Sequence, residues 1–443
     1  MKRSSVLIAA LVFTAGGPPR APAAEKPNVV FLLADDLGYG DLGCTGHPYA
    51  RTPAIDRLAK DGTLFPNFYV AGPTCCPSRT GFMTSRFPAR FQKYPASFGF
   101  SGALTVTDLL KRNGYRTGHF GKWHIGDQQK NGTFGLDTVR VIKGNVGDPR
   151  GRDAEIADAA IDFIKANKAG PFYVNIWFHT PHNPVRPAKA FADRFAGVTV
   201  SRGDFANPDL QKFFDLYAKN GGKLDDGMRN YLGDVSQLDD QVARVLKAVD
   251  ELGLRQNTIV VFTSDNGPGN GTRENGRRAE NSLGSAGPLR ERKFSLHDGG
   301  IRLPFIVRWP GRVPAGRVDE KSVVAGVDWL PTLCTLTGAK FEADKFDGED
   351  VSAAWLGKER PRTKDLFWKI SRPNSPTAVR RGDWKLYQPH RGTAELYDLA
   401  TDPGERTDVA ARNPAVVKEL AAALQRWNAQ LPAKYEKGSA GDD

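Results

Sequence analysis

Sulfur and imidazole are scarce in this chain: four cysteines, three methionines and seven histidines among 443 residues. The cysteines, at 44, 75, 76 and 334, have no zinc-ligand spacing, which excludes a zinc finger or ribbon. Runs of lysine and arginine and an RNA-binding aromatic signature are also missing, so nucleic acid is not the expected partner. The excess of 62 Lys+Arg over 50 Asp+Glu, a net charge of +12, therefore points toward other polyanions, such as acidic surfaces or acidic glycans. Long apolar runs are absent too. The one near the start, residues 6–13, is too short to span a bilayer. With Lys2 and Arg3 before it and Ala21-Pro22-Ala23-Ala24 after it, residues 1–24 read as a cleaved export signal, giving a periplasmic or secreted protein.

What is present is an ordinary globular composition, 40% hydrophobic and 25% charged, in a chain long enough for two or three domains. Continuous apolar runs at 28–34, 172–178, 257–264 and 303–309 suit strands buried on both faces. Helical periodicity lies between them, at 55–61, 107–113, 154–166 and 228–252, the last with an apolar residue every three or four positions. Alternating strands and helices predict an α/β fold with a mostly parallel sheet, whose ligands collect beyond the strands' carboxyl ends. After about residue 338 the pattern changes to short antiparallel strands (378–387 and 394–399) and a closing helix, 414–431. The expected division is a first domain over 25–338, a smaller α+β subdomain over 339–437 and a disordered tail, 438–443. No internal repeat is visible.

The chemistry-bearing residues fall into five groups. Cys75-Cys76-Pro77-Ser78-Arg79 places a thiol and a guanidinium one turn apart at a helix start, where unpaired N–H groups attract anions. Asp35-Asp36 and Asp265-Asn266 each end an apolar run; singly they are turn or cap residues, but together they offer oxygen ligands to a hard dication. Gly121-Lys122-Trp123-His124 sets a cation and an imidazole two apart, on one side of an expected extended segment. Thr180-Pro181-His182-Asn183-Pro184, with His179 just before it, offers two imidazoles after a strand. Lys293 precedes Asp298-Gly299-Gly300. Loops at 131–152, 185–227 and 268–292 are expected to shape the outer pocket.

Together these motifs resemble the type I sulfatases of the alkaline-phosphatase superfamily, over nearly the whole chain from residue 28 to beyond 398. Asp35-Asp36-Leu37-Gly38-Tyr39-Gly40-Asp41 looks most like the arylsulfatase A and N-acetylgalactosamine-6-sulfatase branch. The resemblance implies that Cys75, not Cys76, is oxidised to formylglycine by a formylglycine-generating or anaerobic sulfatase-maturating enzyme. Three cysteines would then remain, and no disulfide framework is expected. It implies that Asp35, Asp36, Asp265 and Asn266, with residue 75, hold Ca²⁺ (Mg²⁺ is the alternative). Arg79, Lys122 and Lys293 would neutralise the sulfate, His124 would assist its release, and His182 would protonate the leaving alcohol, with His179 in reserve. Asp298 stands where the family has glutamate, and Glu291 where glycine is frequent. The implied reaction is hydrolysis of a sulfated carbohydrate or aryl sulfate. Two alternatives are a phosphonate or phosphodiester hydrolase of the same superfamily and a non-catalytic binder of sulfated glycan.

Overall fold

The computed structural model describes residues 26–93, 100, 102–126, 129–271, 280–370 and 375–436, with backbone alone at 273–274 and 277–278. The expected leader and the tail from 438 lie outside the described residues. In chain order the main elements are β1 (Asn28–Asp35), α1 (Pro53–Lys60), β2 (Thr63–Tyr69), α2 (Cys75–Thr84), α3 (Val106–Arg112), β3 (Arg116–Gly121), β4 (Thr138–Arg140), α4 (Ala154–Asn167), β5 (Phe172–Pro181), α5 (Leu224–Glu251) and β6 (Thr258–Ser264). There follow β7 (Arg302–Arg308), β8 (Arg317–Val318), β9 (Val324–Ala325), α6 (Trp329–Thr337), β10 (Leu366–Lys369), β11 (Thr377–Arg381), β12 (Trp384–Gln388), β13 (Glu395–Asp398) and α7 (Pro414–Asn428).

Nine strands form one sheet in the order β8-β2-β7-β6-β1-β5-β3-β4, with β9 also paired to β2. From β6 to β4 every pairing is parallel. β7, read from its sequence as one of the buried strands, is buried but runs antiparallel to both β2 and β6. An apolar run shows that both faces are covered; it says nothing of direction.

β1 sits mid-sheet with all eight residues buried. Its alternate side chains enter two different cores. Val29, Phe31 and Leu33 pack with α2, α3 and α6 (Phe82, Leu109, Leu333), while Val30, Leu32 and Ala34 pack with α1, α4 and α5 (Leu58, Ile156, Val235). Helices on both faces explain why the strand is continuously apolar.

β10 to β13 make a four-stranded antiparallel sheet. Its first strand was not expected from the sequence. The first core continues into this sheet through Trp368, Val379 and Leu386, and Trp368 Nε1 donates to Val70 O at 2.8 Å. All four cysteines are free. Among the described residues no helix is long and apolar enough to cross a membrane.

Candidate active site

β1 and β6 are parallel neighbours with Ala34 opposite Ser264, so the acidic pairs that follow them emerge side by side. Asp36 turns the chain with φ +63, and its N–H donates to Asp265 Oδ1 at 3.2 Å. α2 opens on Cys75, and all ten of its residues are buried. The Cys75 thiol lies 3.2 Å from Asp35 Oδ1 and 3.9 Å from Asp36 Oδ1. Ligand atoms of Asp35, Asp36, Cys75 and Asp265 lie within 4.8 Å of one another.

Three cations close on this cluster. Lys122 Nζ is 2.7 Å from Asp35 Oδ2, Lys293 Nζ is 3.0 Å from Asp36 Oδ1, and each ammonium is 3.5 Å from the Cys75 sulfur. Arg79 is fully buried. It donates Nε and Nη2 to Asp265 Oδ2 at 2.8 and 2.6 Å and Nη1 to Lys122 O at 2.9 Å, above the Trp177 ring. Those donors are spent on the protein, so Arg79 fixes Asp265 and the Lys122 backbone in place.

The electrostatics follow from this packing. Burial opposes charge on Asp35, but Lys122, His182, Arg79 and Lys293 outweigh it and hold the carboxyl well below its usual range. Asp265 is pushed up to about 7, first by burial and then by the Asp35 carboxylate. Burial, with Asp265 and Asp35, raises the Cys75 thiol well above its ordinary value.

The histidines divide. His182 Nδ1 faces the Asn183 carbonyl at 2.8 Å, so that nitrogen carries hydrogen and Nε2 is left toward Asp36 Oδ2, 3.8 Å away. His179 Nε2 instead faces the Ile142 carbonyl at 2.8 Å, away from the carboxylates. The extended segment expected through Lys122 and His124 is not there. β3 stops at Gly121, which has φ +107 and lies where a Cβ would meet Trp177 O, and His124 is left-handed at φ +55. His124 is nonetheless among the same charges. Burial, then Lys122 and Arg79, lower it to about 3, so it stands neutral with Nδ1 unpartnered.

Several supporting residues carry no local signature. Asn281 donates to Asp36 Oδ2 at 3.2 Å and accepts from Asn183. Just before α4, Asp153 accepts from the backbone N–H groups of His179 and Thr180, and Arg152 donates to His182 O at 2.5 Å. Asp298 bonds Lys385 of β12 at 2.7 Å and Tyr69 OH at 2.6 Å, with Glu405 2.8 Å from the same ammonium. Gly299 and Gly300 let the loop carrying Lys293 lie directly on them: a Cβ would sit 2.1 Å from Glu291 O and 2.2 Å from Ser295 O. Glu291 itself has φ +60, the conformation for which glycine is suited.

The donor set fits a hard dication. Three buried carboxylates converge, and the Asn266 amide, whose Nδ2 bonds Asp36 at 2.7 Å, leaves Oδ1 buried without a partner.

The sulfatase family model matches residues 27–339, and the model for the C-terminal region of N-sulphoglucosamine sulphohydrolase matches residues 291–430. Arylsulfatase A of Homo sapiens is 32% identical over 473 aligned residues, spanning 94% of this chain and 90% of that protein. N-acetylgalactosamine-6-O-sulfatase of Bacteroides thetaiotaomicron is 28% identical, spanning 91% and 93%. The crystal structure of Ps i-CgsB in complex with k-i-k-neocarrahexaose superposes with a TM-score of 0.77 at 25% identity, over 93% of this chain and 95% of that one. The chain therefore belongs to the sulfatase family, and it is a sulfuric ester hydrolase.

Proposed function

We propose that this sulfatase cleaves sulfate esters of carbohydrate or aryl alcohols, with Cys75 matured to formylglycine and Ca²⁺, or alternatively Mg²⁺, bound at the carboxylates. The observation that carries this reading is the convergence of Lys122 and Lys293 on the Cys75 sulfur at 3.5 Å, inside a carboxylate cage. As a thiol, Cys75 is a poor nucleophile, because burial and two carboxylates oppose its ionisation. Its oxidation to an aldehyde by a maturating enzyme, followed by hydration, supplies one hydroxyl to attack sulfur and a second through which sulfate is expelled. Asp35, Asp36, Asp265 and Asn266 would hold the dication, which supplies Lewis acidity to the nucleophile and the sulfate.

The chain's own residues do the rest. Lys122 and Lys293 bring positive charge to the sulfuryl oxygens, with Arg79 anchoring both Asp265 and the Lys122 backbone. His182 is the group for the leaving alcohol, and Nε2 is the atom that delivers the proton, since Nδ1 is committed to Asn183 O. His124, neutral at working pH with Nδ1 unpartnered, is the imidazole placed among these charges to assist the release of sulfate. The leader-like sequence at 1–24 supports a periplasmic or secreted setting.

Co-expression with and without a formylglycine-generating enzyme tests the reading. Peptide mass spectrometry at position 75 should show the aldehyde only with the maturase, and turnover of an aryl sulfate should track it while the melting temperature does not. Full turnover by protein with an intact Cys75 thiol would refute the mechanism. Faster cleavage of an aryl phosphodiester than of the sulfate would move the assignment to that ester class.

A further inference from the structure

The charged centre accounts for the sulfate and His182 for the leaving oxygen; the carbon skeleton of the alcohol needs a surface of its own. Phe294, next to Lys293, is the one Phe, Tyr or Trp among the described residues that stands exposed, at 37%. Its φ of +71 is the most positive of any described non-glycine residue. An aromatic side chain rarely takes that conformation, and it persists only where the surroundings impose it.

The surroundings do impose it. The Phe294 N–H donates to Pro73 O at 3.0 Å, two residues before Cys75, and the Lys293 N–H to Pro268 O at 3.2 Å, two residues after Asn266. The loop is thus tied on both sides to segments that carry site residues. The ring centroid is 5.6 Å from Lys293 Nζ, which is itself 3.5 Å from the Cys75 sulfur. Lys293 beside it is buried, but this apolar ring keeps more than a third of its surface in water beside the reacting centre.

We infer that Phe294 is the platform on which the ring of the substrate's alcohol rests, a pyranose C–H face or an aryl ring, while its sulfate enters the charged centre. The inference rests on the sulfate-ester reading and adds its organic specificity. Apolar and aromatic surface lining an otherwise polar pocket is how ligand sites hold a ring, with the polar groups fixing its orientation.

The test uses matured enzyme carrying Phe294→Gly, Phe294→Ala and Phe294→Tyr. Glycine accepts the left-handed backbone without strain, which offsets part of the packing lost with the ring, and a thermal melt of Phe294→Gly checks that it stays folded. Losing the ring should raise KM for a ring-bearing sulfate ester about threefold to tenfold, and the tyrosine variant should stay near wild type. Inorganic sulfate, having no organic part, should inhibit all four proteins equally. An unaltered KM in both ring-less variants would overturn the platform, as would a parallel loss of sulfate inhibition, which would mean that the ring merely supports Lys293. A wild-type enzyme that turns over no sulfate ester would bring down the sulfate-ester reading itself, a result distinct from either of these.

Discussion

Stripping divalent cations from the folded protein and restoring them probes the carboxylate cage directly, and it can be done on protein that retains the Cys75 thiol. Without a cation Asp265 is pushed up to about 7 by burial and by the neighbouring Asp35 carboxylate. An unfolded aspartate titrates near about 3.9. Between those values the folded state holds the extra proton, so this group favours folding at acid pH. Its contribution is lost as pH rises toward 7, at up to about 1.4 kcal/mol per pH unit. A bound dication reverses the preference, because it expels that proton. Affinity should therefore strengthen from pH 6 to pH 8. A cation at a hundredfold excess over its dissociation constant adds about 2.7 kcal/mol of stability. With an unfolding entropy of about 2.1 cal/mol/K per residue, the whole chain has about 0.9 kcal/mol/K, so the melting temperature should rise by about 3 °C. Thermal melts at both pH values, with Ca²⁺ and with Mg²⁺, measure this. The Asp36→Asn and Asp265→Asn variants should lose most of the shift. No shift at either pH, or an equal one in both variants, would refute the assignment of the cage.

Other substitutions separate roles within and around the site. His182→Ala should slow cleavage of sulfates with poor leaving groups by about 10²–10⁴-fold and nitroaryl sulfates far less, whereas His179→Ala should show no such leaving-group dependence; the reverse pattern would exchange the two histidines. Lys385→Met leaves Asp298 and Glu405 buried without their ammonium, and denaturant unfolding should show a loss of about 3–5 kcal/mol. A loss close to that of a surface charge would mean the pair contributes little. Burial lowers His119, edge-on to Trp123 and Trp177 at 4.9 Å each, to about 3. The unfolded chain takes up that proton near about 6.5, so stability falls with acidification between the two values. His119→Leu should remove about 1.4 kcal/mol per pH unit from that decline, and an unchanged slope would show that His119 titrates normally.

Much of the centre was legible in the sequence because its chemistry is written in neighbouring residues. Asp35 and Asp36 are adjacent, Cys75 and Arg79 are one helical turn apart, and both acidic pairs follow apolar runs that end in one sheet. The strands' burial could be read for the same local reason; the reversed direction of β7 could not. The supports were hidden because each joins distant parts of the chain. Asn281 reaches Asp36 across 245 positions, and Lys385 reaches Asp298 across 87. The backbone turn at His124 is not legible locally, because Gly121 lies against Trp177 O with no room for a Cβ, a constraint set by another strand.

The assembled charges also explain why a dication and a sulfate ester belong to the same site. Above pH 7, where Asp265 has lost its proton, Asp35, Asp36 and Asp265 present three negative charges to the three positive ones of Arg79, Lys122 and Lys293, all buried except the slightly exposed Lys122. Such a cage is balanced by itself and has no net attraction for an anion. Lys122 and Lys293 are within contact distance of the residue 75 side chain, yet each is occupied by a carboxylate. Adding a dication to those carboxylates shifts the cage to a net charge of about +2 in a region of low dielectric, where charge is poorly screened. An anionic ester then supplies what the buried site lacks. Arg79 is the exception, because its hydrogen bonds to Asp265 and to the Lys122 carbonyl hold the frame on which that exchange takes place.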